Sequence, residues 1–132
     1  MRRAAITLVT LFLTSIVVAA SQTSREKQIT AAEAKDHVGE RTTVCGKVVG
    51  IRYAASSRGR KIFLDLDVPF PKHIFSILIW LDTARSQFGN YDTNTYNDKN
   101  VCVTGLIKSY KEHPEIIASR PEQIKIEAEA YK

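Results

Sequence analysis

Residues 101–118, Val-Cys-Val-Thr-Gly-Leu-Ile-Lys-Ser-Tyr-Lys-Glu-His-Pro-Glu-Ile-Ile-Ala, restrict the fold more than any other stretch. Val101, Val103, Gly105 and Ile107 alternate with Cys102, Thr104 and Leu106, a β-branched pattern of period two that predicts a strand. Gly105 interrupts the row of side chains, as at a bulge or a tight bend. The polar, partly basic segment from Lys108 to Pro114 reads as a loop, and Ile116-Ile117-Ala118 as the returning strand. Residues 42–49, Thr-Thr-Val-Cys-Gly-Lys-Val-Val, repeat the β-branched pattern with one Cys and one Gly, and are the expected partner.

Further elements follow from the same patterns. Thr30, with Glu33 three residues on, forms a capping-box sequence for a short helix within 29–39, which Gly39 ends. The first strand is expected to run from Thr42 to Tyr53, with Gly46 and Gly50 as places to bend. Strands are predicted at 62–67 and 74–80, separated by a turn made rigid by Pro69 and Pro71. Asp82 reads as the N-cap of a second short helix over 83–88, stopped by Gly89. Residues 90–100 read as a polar surface loop, and 120–126 as a segment covering one end of the domain. The expected fold is mainly β: a five-stranded OB-fold barrel with a short N-terminal helix and a short helix between strands three and four. A sandwich would call for about seven strands.

The Val-x-Gly and Val-x-Val-x-Gly strands, Phe63-Leu64-Asp65-Leu66 and Pro114-Glu115-Ile116-Ile117 resemble small exported bacterial OB-fold domains of the nucleic-acid-binding type. Similar domains occur on secreted nucleases and as free exported proteins. The resemblance covers about residues 29–126 and implies a binding module.

The N-terminus points the same way. Arg2 and Arg3 precede an uncharged run of 15 apolar and small residues, 6–20, ending in Val18-Ala19-Ala20. This is the pattern of a signal peptide cleaved after Ala20, and the run is shorter than the ~20 residues that span a bilayer. The expected organisation is a signal peptide at 1–20, a flexible leader at 21–28, the domain at 29–126 and a tail at 127–132. The expected location is periplasmic or secreted, without stable membrane insertion once the signal is removed. Past residue 20 there are 17 basic and 14 acidic side chains, a balance of +3. That suits a polyanionic partner without demanding one.

The two cysteines, in a chain with an export signal, favour one disulfide. In an OB barrel the first and fourth strands are antiparallel neighbours, so Cys45 and Cys102, each near mid-strand, are predicted to pair. No Cys-x-x-Cys or His-x-x-x-His spacing suggests zinc, and no Gly-x-Ser-x-Gly, phosphate loop or dinucleotide fingerprint is present. No cofactor or metal is expected.

OB-fold ligands meet the face of strands two and three and the loops beside it. The first of these loops holds Arg52, Tyr53, Arg58, Arg60 and Lys61; the second holds Lys108, Tyr110, Lys111 and His113. Cations for phosphates and aromatic faces for bases are what single-stranded nucleic acid requires. Arg58, Arg60, Lys61, Lys108 and Lys111 are the expected phosphate contacts, with Tyr53, Trp80 and Tyr110 as stacking surfaces. Phe75 shares a side with Ile77 and Ile79 and belongs to the core; Trp80 shares the other side with Ser76. Phe63 is open between core and surface. Asp65 and Asp67 fall on the side of Phe63 and would repel phosphates. They leave two alternatives open: an envelope protein binding a protein, oligosaccharide or small ligand, and a metal-dependent nuclease.

Overall fold

The β-branched sequence between residues 41 and 56 forms one 16-residue strand that is shared by two parts of the sheet. The computed structural model describes residues 27–82 and 93–128. Seven strands follow in order: β1 (Gln28–Thr30), β2 (Arg41–Ser56), β3 (Gly59–Leu66), β4 (Ser76–Trp80), β5 (Asn100–Tyr110), β6 (His113–Ile117) and β7 (Ile124–Ile126). Residues 41–47 of β2 pair antiparallel with β5, and residues 48–56 pair antiparallel with β3. The changeover coincides with a register shift between Val48 and Gly50, an irregularity of the kind that bends a strand. β3 pairs antiparallel with β4, β4 parallel with β6, and β6 antiparallel with β5. The pairings therefore close into a ring, β2-β3-β4-β6-β5-β2, the strand order of an OB-fold. β1 adds to β2 in parallel, and β7 adds to β5 antiparallel.

Alternation decides what fills the ring. Val44, Val48, Ile62, Leu64, Leu66, Phe75, Ile77, Ile79, Val101, Val103, Ile107 and Ile116 are all buried in one cluster, as expected for Phe75. Cys45 lies directly opposite Cys102 in the β2–β5 register, with Cα atoms 4.1 Å apart, and the two form the predicted disulfide.

Three local expectations are corrected. The helix foreseen within 29–39 is a single 3-10 turn, Ala34–Asp36. Thr30 and Glu33 do make capping contacts: the Glu33 N–H donates to Thr30 Oγ1 (3.3 Å), and Thr30 Oγ1 donates to Glu33 Oε1 (3.1 Å). Ile29, however, belongs to β1, so the chain has only a few residues in which to turn. Gly105 is not at a bulge, because the β2–β5 register runs unbroken from Arg41↔Leu106 to Lys47↔Asn100. It is a point of close approach, where an added Cβ would lie 2.7 Å from Ile116 Cγ2. The loop foreseen at Lys108–Pro114 is mostly strand, with β5 and β6 joined by a two-residue turn in which Lys111 (φ 47°) and Glu112 (φ 67°) are left-handed. The helix expected over 83–88 lies outside the described residues.

Gly105→Ala should destabilise the fold by about 1–3 kcal/mol, because Ile116 is fully buried and cannot move away freely. Urea titration should show a lower midpoint with an unchanged slope. Reducing the disulfide, whose half-cystines are 57 residues apart, should remove about 4 kcal/mol, read as a lower melting temperature with reductant.

Candidate functional site

Away from the core, alternation on β3 presents Lys61, Phe63 and Asp65, and on β4 it presents Trp80, Leu78 and Ser76. The register sets them side by side: Lys61 with Trp80, Phe63 with Leu78, Asp65 with Ser76. β6 continues these rows with Glu115 beside Ser76 and Ile117 beside Leu78. On the other flank, β2 sets Arg52 beside Phe63. The structure thereby places Phe63 on the outer face.

Asp65 anchors one end of this face. Its side chain is fully buried and accepts from Arg52 Nε (2.9 Å), Arg52 Nη2 (2.8 Å), Ser76 Oγ (2.7 Å) and the Phe70 N–H (3.2 Å). Burial pushes its pKa up, but the hydrogen bonds from Arg52 and Ser76, the Arg52 charge and the Phe70 N–H outweigh it and hold the carboxyl below its ordinary value. Asp65 is thus not a phosphate-repelling surface charge, and its oxygens are saturated by protein donors rather than open to a metal. Asp67, just past the end of β3 at φ 65°, turns toward β2, where its carboxylate accepts the Lys47 N–H at 2.8 Å. The two aspartates therefore share no site. No group of three or more His, Cys, Asp or Glu among the described residues is arranged to hold a metal.

The Arg52 guanidinium, fixed by Asp65, lies 4.6 Å from the ring centroids of both Phe63 and Phe70. Phe70 stacks on His73 at 5.6 Å, and His73 on His113 at 4.0 Å. Burial, then the neighbouring His113 and Arg52, push the His73 pKa below its ordinary value, with Asp65 opposing. At the other end, Lys61 Nζ sits 5.1 Å from the Trp80 ring, 5.5 Å from Phe63 and 5.8 Å from Tyr110; Lys111 Nζ is 5.5 Å from Tyr110. Two adjoining cavities run along the face. One, about 440 Å³, is lined by Arg58, Lys61, Phe63, Trp80, Tyr110 and Glu115 among others. The other, about 280 Å³, is lined by Arg52, Phe63, Phe70, His73, Tyr110, Lys111, His113 and Glu115 among others. Phe63, Tyr110 and Glu115 belong to both and make the groove continuous.

Arg58, Lys61, Trp80, Tyr110 and Lys111, singled out from the sequence, thus come together. The others are placed differently. Arg52 is on the face but committed to Asp65. Arg60 pairs with Asp82 (Nη2–Oδ1 3.1 Å) and lines neither cavity. Tyr53 is exposed but lies across from Ile62, on the opposite side of the sheet from Lys61. Lys108 lies at the rim, beside Glu115 in the β5–β6 register, and lines neither cavity. Sequence reasoning missed Phe70, His73 and Glu115. The Pro-Phe-Pro turn hinted at Phe70, and the polar position in an apolar strand hinted at Glu115.

Fold and site define a mainly β domain of OB-fold type with a cationic, aromatic groove across β3, β4 and β6. No protein-family model matches the chain, and no curated protein matches it in sequence. Solved structures share the fold. Yeast Stn1 and Ten1 match at TM-score 0.53 and 14% identity, over 89% of this chain and 71% of theirs. The aspartyl tRNA synthetase of Entamoeba histolytica matches at TM-score 0.53 and 16% identity, over 96% of this chain and 28% of its own. RecG bound to a three-way DNA junction matches at TM-score 0.50 and 17% identity, over 76% of this chain and 12% of its own.

Asp65→Asn should lower stability at neutral pH by about 2–4 kcal/mol, since Arg52 loses its counter-charge while the site stays buried. The sign with pH follows from the depressed pKa. Asp65 contributes fully above the unfolded value near 3.8, and its contribution is lost as pH falls through the lower folded value. Urea midpoints measured across acid pH should converge for the two proteins.

Proposed function

We propose that the chain is an exported OB-fold module that binds single-stranded nucleic acid and does no chemistry on it. The observation that carries this reading is that Arg58, Lys61, Trp80 and Tyr110 line one groove. Cations and stacking faces lie together in it, the combination that accommodates a sugar-phosphate strand with its bases turned inward. Arg58, Lys61, Lys111 and the rim residue Lys108 serve phosphates; Trp80, Tyr110 and Phe63 serve bases. Arg52 acts one step back, holding Phe63 and Phe70 in place. The groove lies where OB-folds, here read as a closed five-stranded barrel, take their ligands. Two of the structural neighbours support the same reading, one being a tRNA synthetase and the other having been solved on DNA.

The charged and apolar pattern of residues 1–20 together with the Cys45–Cys102 bridge supports export to an oxidising compartment. No described helix is long and apolar enough to cross a membrane.

Fluorescence titration of a labelled mixed-sequence oligonucleotide at several salt concentrations tests the reading. Four phosphate contacts predict a slope of log affinity against log salt of about −3. Lys61→Ala should flatten that slope by about 0.7, and Tyr110→Ala should weaken binding by about 1–3 kcal/mol. No binding at low salt would remove the proposal, and binding independent of oligonucleotide length would favour a small-ligand or oligosaccharide site instead.

A further inference from the structure

Glu115 is the one acidic side chain among the described residues that line the groove. A carboxylate is unfavourable where a polyanion is to lie, and this one is half-buried at the junction of the two cavities. No described residue donates a hydrogen bond to it; Lys61 and Lys108 act on it only through their charge. Burial pushes its pKa above the ordinary value against the pull of those two lysines, the sign of a carboxylate partly shielded from water. A partly desolvated acceptor of this kind is satisfied by a ligand that brings N–H groups of its own.

The surroundings indicate which ligand. Phe63 and Tyr110 line both cavities together with Glu115, so a base stacked on either ring turns an edge toward the carboxylate. Lys61, a donor only, lies nearby. The site therefore offers a two-pronged acceptor beside a donor. The Watson–Crick edge of guanine carries two adjacent donors, N1–H and the 2-amino group, beside the O6 acceptor, and is complementary at all three positions. Cytosine and adenine offer one amino group next to a ring-nitrogen acceptor that would face the second carboxylate oxygen. Thymine and uracil hold their single N–H between two carbonyls, which the carboxylate repels.

We propose that Glu115 is a base-reading residue and that, with Lys61, it makes the groove select guanine within single-stranded nucleic acid. This rests on the binding function proposed above, and the test separates the two. Oligothymidine carrying guanine, inosine, cytosine or adenine at one central position, and its ribose counterpart on a uridine background, is titrated at fixed length and salt. The wild-type protein should bind the guanine strand at least about fivefold tighter than the unsubstituted strand, as expected for one well-made bidentate base contact. Inosine, which lacks the 2-amino group, should fall between. Glu115→Gln puts a donor beside an acceptor, a match for the amino group and ring nitrogen of adenine and of cytosine, and should shift preference from guanine toward those two bases. Glu115→Ala should abolish the preference while still binding the thymidine strand. Thermal unfolding of both variants verifies that they are folded. Equal wild-type affinity for all the strands, or a guanine preference that survives both substitutions, overturns the assignment of Glu115 and leaves the binding function standing. Failure to bind any strand at low salt overturns the binding function itself, and the assignment with it.

Discussion

The bond on which the outer face depends is the ion pair of Arg52 with the fully buried Asp65. A buried carboxylate is strongly unfavourable unless its lone pairs are filled, and here four donors fill them, from β2, β4 and the segment after β3. Each donor brings a structural element with it. Ser76 holds the start of β4, the Phe70 N–H draws in the Pro-Phe-Pro turn, and Arg52 spans from β2. With its charge satisfied in a planar, two-pronged contact, the guanidinium is left with its flat faces free, and these lie against Phe63 and Phe70. One charge pair thereby orients two aromatic side chains.

The position of that pair follows from the bend of β2. A straight 16-residue strand would carry β3 and β5 apart in one flat sheet. The register shift between Val48 and Gly50 lets the same strand face β5 with one half and β3 with the other, and the ring closes through β4 and β6. Two glycines allow the close packing at this corner. A Cβ on Gly46 would lie 3.0 Å from an Asp67 carboxylate oxygen, and one on Gly50 would lie 3.3 Å from Asp65 Oδ2. The disulfide holds the far half of β2 to β5, so the bend, and with it the alignment of Arg52 over Asp65, works against a fixed support.

Much of the fold was legible from side-chain alternation, because a strand with one face in the core writes its period into its sequence. Val101, Val103 and Ile107, or Phe75, Ile77 and Ile79, could be assigned without coordinates, and the Cys45–Cys102 bridge followed from them. Strand ends were less legible. Where β5 runs on into its hairpin, Lys108, Ser109 and Tyr110 are all exposed and carry no apolar period, so the segment resembles a loop. The N-terminal helix was misjudged because its capping contacts are real but Ile29 is drawn into β1. The groove was legible only in part. Its residues lie on five strands, two hairpin turns and the segment between β3 and β4, and their grouping depends on register. Asp65 read as a surface charge because nothing local reveals that Arg52, thirteen residues earlier, comes to lie against it.

The net charge understates what the groove presents, because the pairs are unevenly distributed. Arg52, Arg60 and Lys47 are neutralised by Asp65, Asp82 and Asp98, whereas Lys61 and Lys111 in the groove have aromatic rings as their nearest partners. A cation over a ring gains about 0.5–1 kcal/mol at an exposed site, less than the charge-assisted hydrogen bond that a phosphate oxygen supplies. In the proposed binding role, a phosphate that draws these ammonium groups off the rings also uncovers faces for bases, so the charge and stacking contributions grow together. His73 obeys the opposite rule. Burial, His113 and Arg52 all disfavour a proton on His73, and a neutral ring can lie between Phe70 and His113 without repelling Arg52. One end of the groove thus presents cations over aromatic rings, and the other a stack of Phe70, His73 and His113 braced by Arg52.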